Sequence, residues 1–460
     1  MPVYDNILQA VGRTPLVRLN HITGPEDAAV YAKCEFMNPG GAIKDRMAMY
    51  ILDKAVAEGR IQPGATIVEN TSGNTGAGVA LWAAVKGYKC IFTMPDKMST
   101  EKINALKAFG AEVVVTPTNV PAEDPRSYYE TAKRLHRETP GSFMLNQYHN
   151  PDNIEAHYNL TGPELEKDCR DAGLTPDFFV SGLGTGGTMS GAGKYLKEKF
   201  PRLRNIGVDP EGSVYLDYFK TQKLIQPHVY KVEGIGEDML CKAMDFSVLD
   251  DVRRVDDKQS FTMARALARQ EGLFSGGSSG AAMHVGVELA KEMGKGKIIL
   301  VVLPDSGSRY ISKFFSDEWM KDNGFLDPID RLGTVADLLG GSRPAVHTVR
   351  ATDTARHAVD LMKQHGISQL PVLDGQKPVA MLHEVDLLQA LLDGRHKLGE
   401  PISAVMKPIA GVVTLRTPVS RLKELFATDH VAIVKDGDAL AAILTKIDLI
   451  DWLGTRVAIR

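Results

Sequence analysis

A lysine follows a glycine pair in Asn38-Pro39-Gly40-Gly41-Ala42-Ile43-Lys44-Asp45-Arg46, and helical spacing starts after it at Met47, Ile51 and Leu52. The glycines let the backbone turn sharply and approach a ligand closely. A cation at a helix start opposes the macrodipole, but the glycine pair before Lys44 and the buried-looking helix after it predict a lysine turned into the protein rather than toward water. Desolvation lowers an amine pKa, and a neutral amine can act as a base or form a Schiff base. A second segment, Glu69-Asn70-Thr71-Ser72-Gly73-Asn74-Thr75-Gly76, crowds hydroxyls and amides at the start of a predicted helix. The free N–H groups there suit an anion such as an α-carboxylate. A third, Gly182-Leu183-Gly184-Thr185-Gly186-Gly187-Thr188, again lies between strand and helix and offers backbone amides and two hydroxyls to a phosphate. The fourth, Gly276-Gly277-Ser278-Ser279-Gly280-Ala281, opens a helix with a serine able to hydrogen-bond a ring nitrogen, or simply to cap the helix.

The third segment also reads another way. Gly182, Gly184 and Gly187 fit G-x-G-x-x-G, with Asp209 at the end of the next strand, which is the dinucleotide fingerprint of an NAD-dependent oxidoreductase. Paired threonines suit a terminal phosphate better than a bridging pyrophosphate. The oxidoreductase reading also leaves the Lys44 and Asn74 segments without a role.

Positioning these loops requires alternating strands and helices. Thr66–Glu69, Tyr88–Thr93, Glu112–Thr116, Asp177–Ser181, Asn205–Val208 and Ile298–Leu303 read as short apolar strands. Between them run helical patterns, including Thr75–Val85 ended by Gly87 and one capped by Ser99 or Thr100. Continuous apolar strands separated by helices predict an α/β fold with a parallel sheet covered on both faces.

The length of 460 residues predicts about three units. A hydrophobic content of 43% and a charged content of 24% are those of a globular protein, and a net charge of −3 argues against nucleic acid and anionic membrane as partners. No apolar run reaches the length of a membrane span and the start lacks a signal-peptide layout. Cys34, Cys90, Cys169 and Cys241 are scattered, which predicts neither disulfides nor zinc and points to the cytoplasm. After Trp319 the chain becomes polar and turn-rich, then repeats itself once: Val335–Leu339 resembles Ile402–Met406, and Met381–Leu387 resembles Ile443–Leu449. The expected division is a catalytic part over 1–325, a linker over 326–334, and two small α/β units over 335–397 and 398–460.

In this order, the four segments resemble the β-family of pyridoxal phosphate enzymes (fold type II), over roughly residues 5 to 320. Lys33–Phe36, Met94–Lys102, Asn146–Asn150, Asp209–Ser213 and Val232–Gly236 favour its cystathionine β-synthase branch over cysteine synthase. The tandem C-terminal units resemble the nucleotide-sensing CBS (Bateman) pair. The resemblance implies a two-subdomain parallel-sheet core and pyridoxal 5'-phosphate as cofactor. It implies that Lys44 carries the Schiff base, Asn74 binds the ring hydroxyl, Gly184, Thr185, Gly186, Gly187 and Thr188 hold the phosphate, and Ser278 faces the pyridine nitrogen. Thr71, Ser72, Thr75 and Gln147 then meet the substrate carboxylate, and Tyr148 lines the second-substrate side. The implied partners are serine, homocysteine and cysteine, in at least a homodimer. The alternative within the family is O-acetylserine with sulfide. The haem-binding extension of animal members does not precede the core, so no haem is expected. Thr445 and Asp448 match the motif that holds an adenosyl ribose in such pairs. In the first unit His383 replaces the threonine while Asp386 remains.

Overall fold

Ile298–Leu303, an uninterrupted apolar run, is buried along nearly its whole length and stands third in a six-stranded sheet. In the computed structural model, residues 3–71, 73–121, 123–326, 333–340, 345–428 and 431–457 are described. The chain divides into two units, Met1–Phe325 and Leu326–Arg460.

The first unit holds two sheets. The larger runs Leu16–Arg18, Ala29–Cys34, Ile298–Leu303, Phe178–Gly182, Arg204–Pro210, Asp251–Val255; only the first pair is antiparallel. The smaller is all parallel, in the order Glu112–Thr116, Lys89–Pro95, Thr66–Asn70, Phe143–Met144. The sequence reading of a parallel α/β core therefore holds, with an antiparallel edge it did not anticipate. Each sheet has its own apolar core: Ile51, Leu52, Ile67, Val79, Trp82 and Phe92 under the smaller, and Phe179, Leu183, Leu196, Val252 and Leu300 under the larger.

Helix ends follow local chemistry. Ser99 caps Thr100–Ala108 by accepting from Lys102 N, so Thr100 is the first helical residue. Asn74–Lys86 ends on Gly87 in the left-handed region, as its sequence predicts. The central helix Gly277–Met293 lies so close to Asp257–Ala266 that a Cβ at Gly280 would stand 2.0 Å from the Ser260 carbonyl.

The second unit repeats strand, helix, two strands, helix. The first set is Val349–Arg350, Ala355–His365, Gln369–Asp374, Lys377–His383 and Glu384–Leu392. The second is Val412–Thr414, Ser420–Thr428, Val431–Asp436, Ala439–Thr445 and Lys446–Val457. Each set forms a three-stranded sheet. The short lead segments are exchanged. Val335, from Val335–Leu339, is buried in the core of the second set with Val413, Leu422 and Phe426. Ile402 and Val405 are buried in the core of the first with Val349, Met362 and Leu382. Of the linker, residues 327–332 lie outside the described part.

Candidate active site

Lys44 is the first residue of the helix Lys44–Ala57. Its turn is pinned from below by charge. Arg46 donates to Glu35 through Nε and Nη2, both at 2.7 Å, and to Glu164 through Nη1 at 2.6 Å. Lys33 reaches Glu164 at 2.7 Å and Asp168 at 2.6 Å. Burial works to raise the Glu164 carboxyl, yet Arg46 and Lys33 hold it at about 2. Buried pairs of this kind are costly to break from one side, so the turn that presents Lys44 is stiff. Lys44 is half-buried as a residue, but protein surrounds its amine. Burial pulls the amine below its ordinary pKa, while Asp305 and Glu237 draw it back up. No hydrogen bond or ion pair to a described residue holds it.

Asn74 opens the helix Asn74–Lys86. Its Nδ2 donates to Asp305 Oδ2 at 2.8 Å and its Oδ1 accepts from Arg309 Nη1 at 2.7 Å. Thr71 Oγ1 accepts from Gly73 N at 3.0 Å and Gly76 N at 3.2 Å, leaving its hydroxyl proton free to donate. Thr75 gives its proton to Gln147 Oε1 at 2.6 Å, and Gln147 Nε2 donates to the Asn70 carbonyl at 3.2 Å. Gln147 is itself held by Glu69, which accepts from Gln147 N at 3.1 Å. Burial pushes the Glu69 carboxyl up to about 7 against those backbone donors. Ser72 lies outside the described residues.

The Gly184–Thr188 loop is fitted tightly from behind. Gly186 has φ +92°, and a Cβ there would stand 2.5 Å from Met244 Cα. Thr185 Oγ1 accepts from Asn153 Nδ2 at 3.0 Å, and Tyr215 donates to the Gly184 carbonyl at 2.8 Å. Thr188 Oγ1 lies 3.3 Å from His157 Nε2, whose Nδ1 meets Thr161 Oγ1 at 2.9 Å. Burial, then Lys44 and Arg46, drive His157 well below its ordinary pKa, so the ring is neutral.

Ser278 is buried at the start of Gly277–Met293, and its hydroxyl has no partner among the described residues. A Cβ built on Gly234, at φ +89°, would come within 3.6 Å of Ser278 Oγ and 3.9 Å of Asn74 Nδ2. Three features suit a flat, phosphorylated pyridine with an aldehyde. They are an unpartnered hydroxyl and an amide facing the space beside Gly234, a glycine loop rich in N–H donors, and an uncommitted amine. The donor set of pyridoxal phosphate fits the residues present. Tyr148 is buried with its hydroxyl 3.3 Å from that of Tyr128, and its ring is edge-on to Tyr129.

Several site residues escape sequence reasoning. Asp305, Arg309, His157, Asn153 and Glu237 all touch or face these groups. Burial and Asp238 push Glu237 up to about 8, with Lys44 pulling it down. The position of Asp305 just past an apolar strand was a usable signal, since α/β sites gather at the carboxyl ends of strands. Asp209, the dinucleotide candidate, is fully buried and accepts from Leu216 N at 2.9 Å. In the second unit Thr445 and Asp448 bond one another, Oγ1 to Oδ2 at 2.7 Å. His383 begins Glu384–Leu392 without a side-chain cap, and Asp386 lies in the first turn. Among the described residues no group of three or more potential ligands could hold a metal ion, and no helix is long and apolar enough to cross a membrane.

The pyridoxal-phosphate dependent enzyme family matches residues 7–305, and the chain belongs to it. The CBS domain family matches 335–393. Over 98% of its length the chain is 40% identical to cystathionine beta-synthase of Dictyostelium discoideum, covering 92% of that protein. It is 36% identical to that of Saccharomyces cerevisiae over 97% of both chains. Within the family it therefore stands with the cystathionine beta-synthases. A cysteine synthase of Staphylococcus aureus is 43% identical, over 67% of this chain and 96% of that one. Among solved structures, an O-acetylserine dependent cystathionine beta-synthase from Helicobacter pylori superposes with TM-score 0.62 at 36% identity, over 68% of this chain and 99% of that one. The family match sets aside the oxidoreductase reading of the Gly182–Gly187 segment.

Proposed function

We propose that the chain condenses L-serine with L-homocysteine to L-cystathionine by replacing the β-substituent. Lys44, Asn74, Gly184–Thr188 and Ser278 hold pyridoxal phosphate. The observation that carries this reading is the Lys44 amine: enclosed, lowered in pKa and without a polar partner among the described residues. When bound, the cofactor supplies an electron sink for charge left on Cα. Lys44 takes the Cα proton and, once protonated, delivers it to the departing β-oxygen; a lowered pKa places this exchange nearer neutral pH. The free hydroxyl proton of Thr71 and the second Nε2 proton of Gln147 meet the substrate carboxylate, while Thr75 orients Gln147. Ser72 completes that set. Ser278, neutral, leaves the ring nitrogen unprotonated and favours prompt elimination. Tyr148 lines the side from which the thiol arrives.

In the second unit, Thr445, Asp448 and Asp386 are the residues for an adenosyl ligand. Asp448 keeps Oδ1 for ribose hydroxyls while Oδ2 binds Thr445. The divisions 326–334, 335–397 and 398–460 serve as linker and tandem CBS units. The active form is at least a homodimer.

Borohydride reduction of the purified protein followed by peptide mass spectrometry should place a pyridoxyl group on Lys44. Product analysis should give cystathionine from serine and homocysteine. A larger kcat/KM for O-acetylserine with sulfide would replace this reading with cysteine synthase, which the Staphylococcus relative supports.

A further inference from the structure

Asp305 touches three of the four loops that the proposed cofactor site requires. Its backbone pairs with Ala42 in the Lys44 turn. Its carbonyl accepts from Gly276 N at 2.9 Å, two residues before Ser278. Its Oδ2 accepts from Asn74 Nδ2 at 2.8 Å and from the Tyr310 hydroxyl at 2.6 Å. The side chain is fully buried, and a Cβ on Gly276 would stand 2.0 Å from its Oδ1, so the carboxylate has no room to turn. Burial and Asp305 itself keep the Tyr310 phenol protonated, so it remains a donor. On the other side, Arg309 donates to Asn74 Oδ1 at 2.7 Å and also reaches the Gly40 carbonyl.

An asparagine amide has one acceptor oxygen and two N–H donors. Arg309 occupies the oxygen. Asp305 occupies one N–H. A flipped amide would set Oδ1 against a carboxylate and Nδ2 against a guanidinium, which both partners oppose. Among the described residues one N–H is left without an acceptor, and it is the only donor the Asn74 side chain has to offer; the second lone pair on Oδ1 cannot bond an ionised oxygen. We infer that Asp305 and Arg309 are positioning residues that lock Asn74 as a hydrogen-bond donor toward the cofactor's ring oxygen. This rests on the reading of Asn74 as the ring-oxygen contact. A donor held at an ionised oxygen favours the ionised form. The lock therefore sets the pH at which the bound cofactor changes colour, and it does so through Asn74.

The test uses the holoenzyme and does not depend on turnover. The visible spectrum is titrated against pH, and the dissociation constant of pyridoxal phosphate is measured after the cofactor is removed and returned. The field of Asp305 alone predicts that Asp305→Ala lowers the spectral midpoint, because a negative charge is lost. Loss of the lock predicts the opposite, a rise of about one pH unit with about tenfold weaker cofactor binding. Arg309→Gln, at a part-exposed side chain, should shift both readouts in the same sense and carries the test if Asp305→Ala does not fold. In an Asn74→Ala background the rise in Asp305→Ala and the weaker cofactor binding of both variants should vanish, leaving only the shifts that the lost charges predict. A lowered midpoint in Asp305→Ala with Asn74 present overturns the inference, as does a rise in Asp305→Ala, or weakened cofactor binding in either variant, that survives in Asn74→Ala. So do folded variants with wild-type spectra and affinity. Wild-type protein that takes up no cofactor would overturn the functional reading as well.

Discussion

The helix starts at Ser278 and at Thr445 each carry a hydroxyl side chain and differ in what that hydroxyl does. In the first unit, Ser278 is buried beside Gly234 with its hydroxyl uncommitted among the described residues. In the second, Thr445 and Asp448 close on each other in the reciprocal manner of a capping box, as Thr334 and Asp337 also do. Both are buried or half-buried polar groups at the mouth of a helix. Only Ser278 is left without a partner among the described residues, so its hydroxyl is free to meet a ligand while that of Thr445 is spent on Asp448. What separates the two helix starts is the commitment of the hydroxyl rather than the residue type.

The largest test of that contrast is Lys44→Ala. Turnover of serine with homocysteine should fall about 10⁴-fold or to background, read by cystathionine formation, with circular dichroism unchanged. Ser278→Asp puts a charge where a neutral hydroxyl waits. It should slow the replacement on the order of 100-fold by holding the ring nitrogen protonated, read as kcat against KM for serine. Glu237→Gln is subtler. Burial pushes Glu237 up to about 8, and its ionised form raises the Lys44 pKa. The carboxyl is therefore felt only toward the alkaline end of the profile, where it carries charge. There the rise of kcat/KM with pH should finish about half a unit lower in the variant. An unshifted limb would remove Glu237 from the field at Lys44. The smallest effect belongs to the closed pair. Thr445→Val should cost about 1 kcal/mol in the urea unfolding of the second unit and leave turnover without added nucleoside unchanged.

Much of the framework could be read in advance, for local reasons. Ile298–Leu303 falls where its apolar run placed it, because a strand buried on both faces leaves an uninterrupted hydrophobic stretch. Glu112–Thr116 also falls where its run of valines placed it, although it is a half-exposed edge strand. Gly87 ends its helix because a left-handed residue was needed there. The strands Leu16–Arg18 and Asp251–Val255 were not legible: the first is an antiparallel edge, and the second is rich in charge. At the site, the glycine loops announced themselves by composition. The groups behind them did not. Asp305 is 231 residues from Asn74, and His157 reaches Thr188 across 31 residues through two helices of irregular pitch. Nothing in a local window encodes such pairings. Thr75 is a milder case: its type suited a carboxylate contact, but its proton goes to Gln147.

The exchanged lead segments make the C-terminal repeats mutually dependent. A chain stopped after Lys397 would lack Ile402 and Val405, and with them part of the floor beneath Val349 and Leu382. Removing residues 333–340 would in turn uncover Phe426 and Val413. Large truncations of buried aliphatic side chains cost about 2–5 kcal/mol each, more than a sheet of three short strands can absorb. Hydrogen exchange should accordingly find both halves opening together, as one cooperative body in which each sheet is closed by a helical turn borrowed from the other half.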